Sequence, residues 1–141
     1  MTDAIWHSIP GAQPLHEIHG YWPTLHDARI RTMRVGYESR ELTIVLDSVE
    51  WFDGKTETDD IHTRFTMRWH GVVNSSLRVE QSYLYGVEFS QTEAGILTTF
   101  VPTNFGTSGT ILAAGIEVSE IGPTPDTETD DAFLFEIEPP T

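Results

Sequence analysis

From Ile30 to the C-terminus the chain repeats with a period of two, and this constrains its fold more than any other feature. Phe65, Met67 and Trp69 alternate with Arg64, Thr66 and Arg68, which describes a strand with one dry face and one wet, cationic face. Leu42, Ile44 and Leu46 alternate with Thr43, Val45 and Asp47. Tyr83, Tyr85, Val87 and Phe89 alternate with Leu84, Gly86 and Glu88, and Leu112, Ala114, Ile116 and Val118 follow the same rule. Met33 and Val35 alternate with Arg31 and Arg34 only roughly. Leu77 and Val79 mark a short strand, and the β-branched and aromatic run from Ile96 to Val101 stops at Pro102. Turn signals separate these runs: Asp53-Gly54, His70-Gly71, Asn74-Ser75, Glu93-Ala94-Gly95 and Asn104 to Gly109. About eight short strands at this spacing predict a mainly β protein, an antiparallel sandwich or a partly open barrel.

At 141 residues the chain reads as one domain. Residues 1–28 form an irregular N-terminal segment, because Pro10, Gly11, Pro14, Gly20 and Pro23 interrupt any long element. At most one helical turn is expected, around Leu15 to Ile18. Residues 29–121 form the β core, and residues 122–131, GPTPDTETDD, an acidic linker with two prolines. In residues 132–141, Phe133, Phe135 and Ile137 alternate with Glu136 and Glu138, too apolar for a free tail, so a paired terminal strand is expected. Four Trp and seven Phe supply much of the core. The N-terminus, MTDAIWHSIPGAQP, has neither the cationic nor the apolar region of a secretory signal. No apolar run reaches the length of a transmembrane helix. A soluble, cytoplasmic protein with no membrane partner is the expectation.

Net charge is −14 and unevenly placed. Residues 1–80 carry 12 acids against all 8 basic residues, a balance of −4. Residues 81–141 carry 10 acids and no Lys or Arg, a balance of −10. Such a half repels nucleic acid and anionic membrane and attracts cations. Net negative charge also keeps proteins soluble, but solubility alone does not account for 61 positions without one basic residue. The acids Glu117, Glu120, Asp126, Glu128, Asp130 and Asp131 are the candidate recognition field for a cationic partner. Arg29, Arg31, Arg34, Arg64 and Arg68 are expected to share a sheet face and to pair internally with acids such as Glu38, Glu41 and Glu50.

Catalytic and metal chemistry finds little support. There is no cysteine, which excludes disulfides, thiolate metal sites and thiol nucleophiles. His7, His16, His19 and His26, with Glu17 and Asp27, contain metal-ligating types. His16-Glu17-Ile18-His19 nevertheless lacks the spacing of HExxH. Phe105 to Thr110 is Gly-rich but lacks a P-loop lysine, and no Gly-x-Ser-x-Gly elbow occurs. The expectation is therefore no catalytic residue, no metal and no cofactor. Trp6, Trp51 and Tyr83 are candidate exposed anchors for a partner.

The segment Gly20 to Ile30, GYWPTLHDARI, packs two large aromatics, a proline, a histidine and an aspartate just before the first strand. Asp27 follows Thr24 by three residues, as in a capping box, so a structural corner is expected. Trp22 would anchor it, His26 would pack on Trp22 or Tyr21, and Asp27 would accept a hydrogen bond. An enzyme using His26-Asp27 as an oriented base needs a turn to bring the two side chains together. Tyr21, Trp22, Pro23, Leu25, His26, Asp27 and Ala28 resemble the aromatic-Trp-Pro-x-(aliphatic or aromatic)-His-Asp-Ala motif of the Immunity protein 50 family of bacterial polymorphic toxin systems. Ile9-Pro10-Gly11 and the strands after Ala28 fit that pattern loosely. The resemblance implies a small β-rich, non-enzymatic protein that binds and neutralises a cognate toxin. Two other readings stand beside it: a β-barrel or sandwich binding a small molecule in an aromatic pocket walled by His26, and a structural subunit whose exposed edge strands form a homodimer.

Overall fold

The computed structural model describes residues 2–19, 22–23, 25–26, 28–50, 61–79, 81, 83–102, 106–123 and 134–137. Eight strands follow two short helices: α1 (Thr2–Ser8), α2 (Gln13–His19), β1 (Arg29–Gly36), β2 (Glu41–Glu50), β3 (Ile61–Ser75), β4 (Arg78–Val79), β5 (Val87–Thr92), β6 (Gly95–Phe100), β7 (Thr107–Pro123) and β8 (Leu134–Ile137). They make one sheet in the order β5-β6-β7-β3-β2-β1-β8, with β4 on β7. Every pair is antiparallel except β1 with β8. The sheet is therefore a single open layer rather than a two-sheet sandwich. Tyr83 and Leu84 help it curl. Tyr83 bridges to Arg29 and Leu84 to Thr107, while Leu84 N–H donates to Ala28 C=O at 2.8 Å and Thr107 N–H to Tyr83 C=O at 2.9 Å. This short segment joins the start of β1 to the start of β7.

The core lies on the inner face. Phe65, Met67 and Trp69 are buried, as their alternation requires, with Arg64 and Arg68 on the other side. Leu42, Ile44 and Leu46 of β2 face them in register: Trp69 opposite Leu42, Met67 opposite Ile44 and Phe65 opposite Leu46. Within this apolar layer the Trp69 indole N–H donates to Thr98 Oγ1 at 2.8 Å, and both residues are fully buried. That bond removes the penalty of an orphaned donor.

The N-terminal segment holds two helices where at most one turn was expected. The breakers fall between them: Pro10 and Gly11 lie in the connection, and Pro14 sits in the first turn of α2, where its missing N–H costs no hydrogen bond. Helices of seven residues are unstable alone. These are held by burying Ile5, Trp6, Ile9, Ala12 and Leu15 against the sheet. Gly11 is in the left-handed region at φ +82°, and a Cβ there would overlap the Val118 carbonyl. The connection thus lies directly on β7, and Val118 N–H donates to Pro10 C=O at 2.9 Å.

Three irregularities explain where period two fails. In β1 the register slips between Ile30 and Thr32, so Arg31 is an extra residue. This bulge lets Ile30 and Met33, three apart, both point inward, and accounts for the rough alternation there. In β3 the turn signals His70-Gly71 and Asn74-Ser75 do not end the strand. Gly71 takes φ +62° inside it, and the register with β7 shifts between Arg64 and Thr66 and again between Val72 and Asn74. Opposite Gly71, the burial of β7 changes phase: Ile111 and Ala113 are buried, then Ile116 and Val118. Leu112 and Ala114 therefore leave the face assigned to them by simple alternation. Upstream of β5, Leu84 is buried and Tyr85 is about half exposed, the reverse of the expected order. The Glu93-Ala94-Gly95 turn joins β5 to β6 as expected. β7 begins at Thr107 inside the expected Asn104 to Gly109 turn, and runs on to Pro123, two residues into the expected linker.

Candidate functional site

Three places concentrate side chains with chemical potential. The first is the aromatic corner. Trp22 is buried and stacks on Trp6, ring centroids 5.7 Å apart and nearly parallel. Trp6 meets Phe89 of β5 edge-on at 5.0 Å. His7 and His16 pack edge-on against Trp22 at 5.1 and 4.9 Å, with 6.4 Å between their own centroids. Trp22 is thus an anchor between the helices and the sheet, with Pro23 buried beside it. Of the candidate partner anchors, Trp6 is buried and Tyr83 is half-buried. His26 is exposed and packs edge-on against Tyr85 at 5.1 Å, not against Trp22. Tyr21, Thr24, Asp27 and Trp51 lie outside the described residues. Among the described residues no three His, Asp or Glu side chains converge as metal ligands.

The second place is the outer face of β1, β2, β3 and β7. Asp47 is 5% exposed and lies between two arginines. Arg64, its neighbour across the β2–β3 ladder, donates Nε to Oδ1 at 2.6 Å and Nη2 to Oδ2 at 2.9 Å. Arg31, the bulge residue, donates Nε to Oδ2 and is itself buried. Burial pushes the Asp47 carboxyl upward, but the hydrogen bonds and charges of Arg64 and then Arg31 outweigh it and hold the group below the usual carboxylate range. Further along this face Arg68 pairs with Glu117 of β7 and lies 3.6 Å from Glu41 of β2. Arg34 lies 3.7 Å from Glu136 of β8, and Thr66 Oγ1 donates to Glu120 at 3.1 Å. Arg31, Arg34, Arg64 and Arg68 thus pair internally with carboxylates, but of the expected acids only Glu41 is among these partners; the others are Asp47, Glu117 and Glu136. The central acid is Asp47, which the sequence reading had passed over as an ordinary wet-face position.

This network bears on the candidate recognition acids. Glu117 and Glu120 are both engaged within the sheet. Asp126, Glu128, Asp130 and Asp131 lie outside the described residues. What the fold adds is spatial: β5, β6 and β7 are consecutive neighbours at one side of the sheet. Three of the four strands from the half of the sequence without Lys or Arg thus lie together, while β8 lies at the opposite edge on β1. The group of three ends in the edge strand β5, whose Glu88, with Glu93 of the following turn, is exposed. Those two acids were missed because an edge strand is defined by its sheet neighbours, not by its own residues.

The third place is a cavity of about 360 Å³ bounded by Met33, Val35, Leu42, Val72, Leu77 and Phe135, with Gly36, Tyr37, Arg40, Glu41 and Ser75 completing it. His26 is not in its wall. Comparison of the chain with protein-family models, with curated proteins and with solved structures yields no match. No helix among the described residues is long and apolar enough to cross a membrane.

Proposed function

We propose that this protein is a non-enzymatic binding protein whose acidic β5–β6–β7 side receives a cationic protein partner, the partner being a bacterial toxin that it neutralises. The observation that carries the reading is the segregation of charge. Residues 81–141 hold 10 acids and no basic residue; four of those acids, Glu88, Glu93, Glu117 and Glu120, lie on the neighbouring strands β5, β6 and β7 and their turn, which run to the sheet edge at β5, while Glu136 lies on β8 at the opposite edge. A one-signed surface raises the rate of encounter with a cationic partner and disfavours anionic competitors. Nucleic acid and anionic membrane are among those competitors. The toxin assignment rests on the likeness of Tyr21 to Ala28 to the immunity family motif.

The test is co-expression rescue and pull-down with the product of the neighbouring gene, followed by association kinetics across a salt series. Association is expected to slow as salt rises and the screening length falls to about 8 Å at physiological ionic strength. Dissociation should change less. Glu88→Gln with Glu93→Gln should slow association further at low salt, while either change alone is worth at most about 1 kcal/mol. A complex whose association rate ignores salt, or no complex with the adjacent product, would sink the proposal.

A further inference from the structure

The cavity has no part in the charge argument above, and its composition is specific. Its walls are apolar, from Met33, Val35, Leu42, Val72 and Leu77, and Phe135 of β8 leans over it while about half exposed. At about 360 Å³ it falls within the range of small-molecule sites. Its rim carries Arg40. Arg31, Arg34, Arg64 and Arg68 are each committed to a carboxylate, and Arg29 and Arg78 also have interaction partners. Arg40 has no ion-pair or side-chain hydrogen-bond partner among the described residues, although the chain has 22 acids and only 8 cations. Its backbone is pinned. The residue takes φ +56° at the end of the β1–β2 turn, and its carbonyl accepts Val72 N–H at 2.9 Å. Arg40 thus presents an exposed guanidinium from a fixed backbone position at the rim of an apolar hollow.

We infer that this cavity binds a small monocarboxylate with an apolar body, the hydrocarbon against Val35, Leu42, Val72 and Leu77 and the carboxylate on Arg40. A planar guanidinium holds a carboxylate through two parallel N–H···O bonds. Glu41 also lines the cavity, its carboxylate 3.6 Å from Arg68.

The experiment is a two-dimensional NMR titration of the full chain with 4-phenylbutyrate and, separately, with the uncharged 4-phenylbutan-1-ol. The carboxylate should bind at least about tenfold more tightly than the alcohol, the ratio expected of one charge-assisted contact. Shifts should concentrate on Val35, Leu42, Val72 and Leu77. Arg40→Asn is the decisive variant, because Asn tolerates positive φ and should leave the melting temperature equal or higher. It should bring the carboxylate down to the affinity of the alcohol. Leu77→Trp, which fills the hollow, should abolish binding of both. Equal affinities of the two compounds, an Arg40→Asn variant that binds the acid as well as the parent, or shifts centred elsewhere would overturn the assignment. So would occupation of the cavity by a second copy, seen as a concentration-dependent dimer that 4-phenylbutyrate does not dissociate.

Discussion

Replacing Asp47 by Ala tests the polar centre of the sheet directly. The change removes the shared acceptor of Arg31 and Arg64 and leaves two cations facing each other. Breaking a buried pair from one side costs about 3–5 kcal/mol. Arg31 is 8% exposed and cannot reach water, whereas the Arg64 side chain is 22% exposed and can turn outward. The expected loss is therefore near the lower bound, about 3 kcal/mol, or roughly 10 °C in melting temperature for a chain of this length. Urea unfolding followed by tryptophan fluorescence reads the change as a lower midpoint at unchanged slope. The companion is Arg31→Met with Asp47→Leu, which removes the buried charges together and should return to within about 1 kcal/mol of the parent. The pH dependence has a definite sign. The Asp47 carboxyl is depressed in the folded state, so its contribution is complete above the unfolded value of about 3.9 and is lost as pH falls through the lower folded value. Asp47→Ala should flatten the stability profile below about pH 4 while lowering it at pH 7. An Asp47→Ala protein within about 1 kcal/mol of the parent at pH 7, or a double variant weaker than the single, would refute the reasoning.

Two further substitutions probe the packing. Thr98→Val keeps the shape of the buried site but orphans the Trp69 indole N–H, and should cost about 1–3 kcal/mol in urea unfolding, with Thr98→Ser close to the parent. Gly11→Ala places a Cβ into the Val118 carbonyl at a positive φ, and should destabilise by more than about 1 kcal/mol, measured by thermal melting, with faster hydrogen exchange at Val118 N–H.

The inner face was legible because it is written locally. Phe65, Met67 and Trp69 are buried, and so are Leu42, Ile44 and Leu46, because period two along one strand suffices to place them. What failed was non-local. Arg31 sits in a bulge whose extra residue exists only relative to β2, and the phase change in β7 follows from a left-handed glycine on β3. The helices were missed for another reason: Ile5, Trp6 and Ile9 do have helical spacing, but across only two turns, so the breakers dominated the reading. Of the polar sites, the arginine face was visible in the alternation. Its acceptor Asp47 was not, since burial of a wet-face residue depends on Arg31 and Arg64 closing over it. The cavity was invisible, as its walls come from β1, β2, β3, Leu77 and β8.

The parallel pairing of β8 with β1 has a consequence for how the molecule is made. Thr32 meets Leu134 and Val35 meets Ile137, so the outer edge of the first strand waits for residues about a hundred positions later. At ribosomal speeds of roughly 5–20 residues per second, β1 spends on the order of 5–20 s as a bare template for a foreign strand. Arg34, exposed on that strand, is a natural gatekeeper during the wait, and Glu136 meets it only when β8 arrives. Phe135 arrives with the same strand, so the wall of the cavity is completed last.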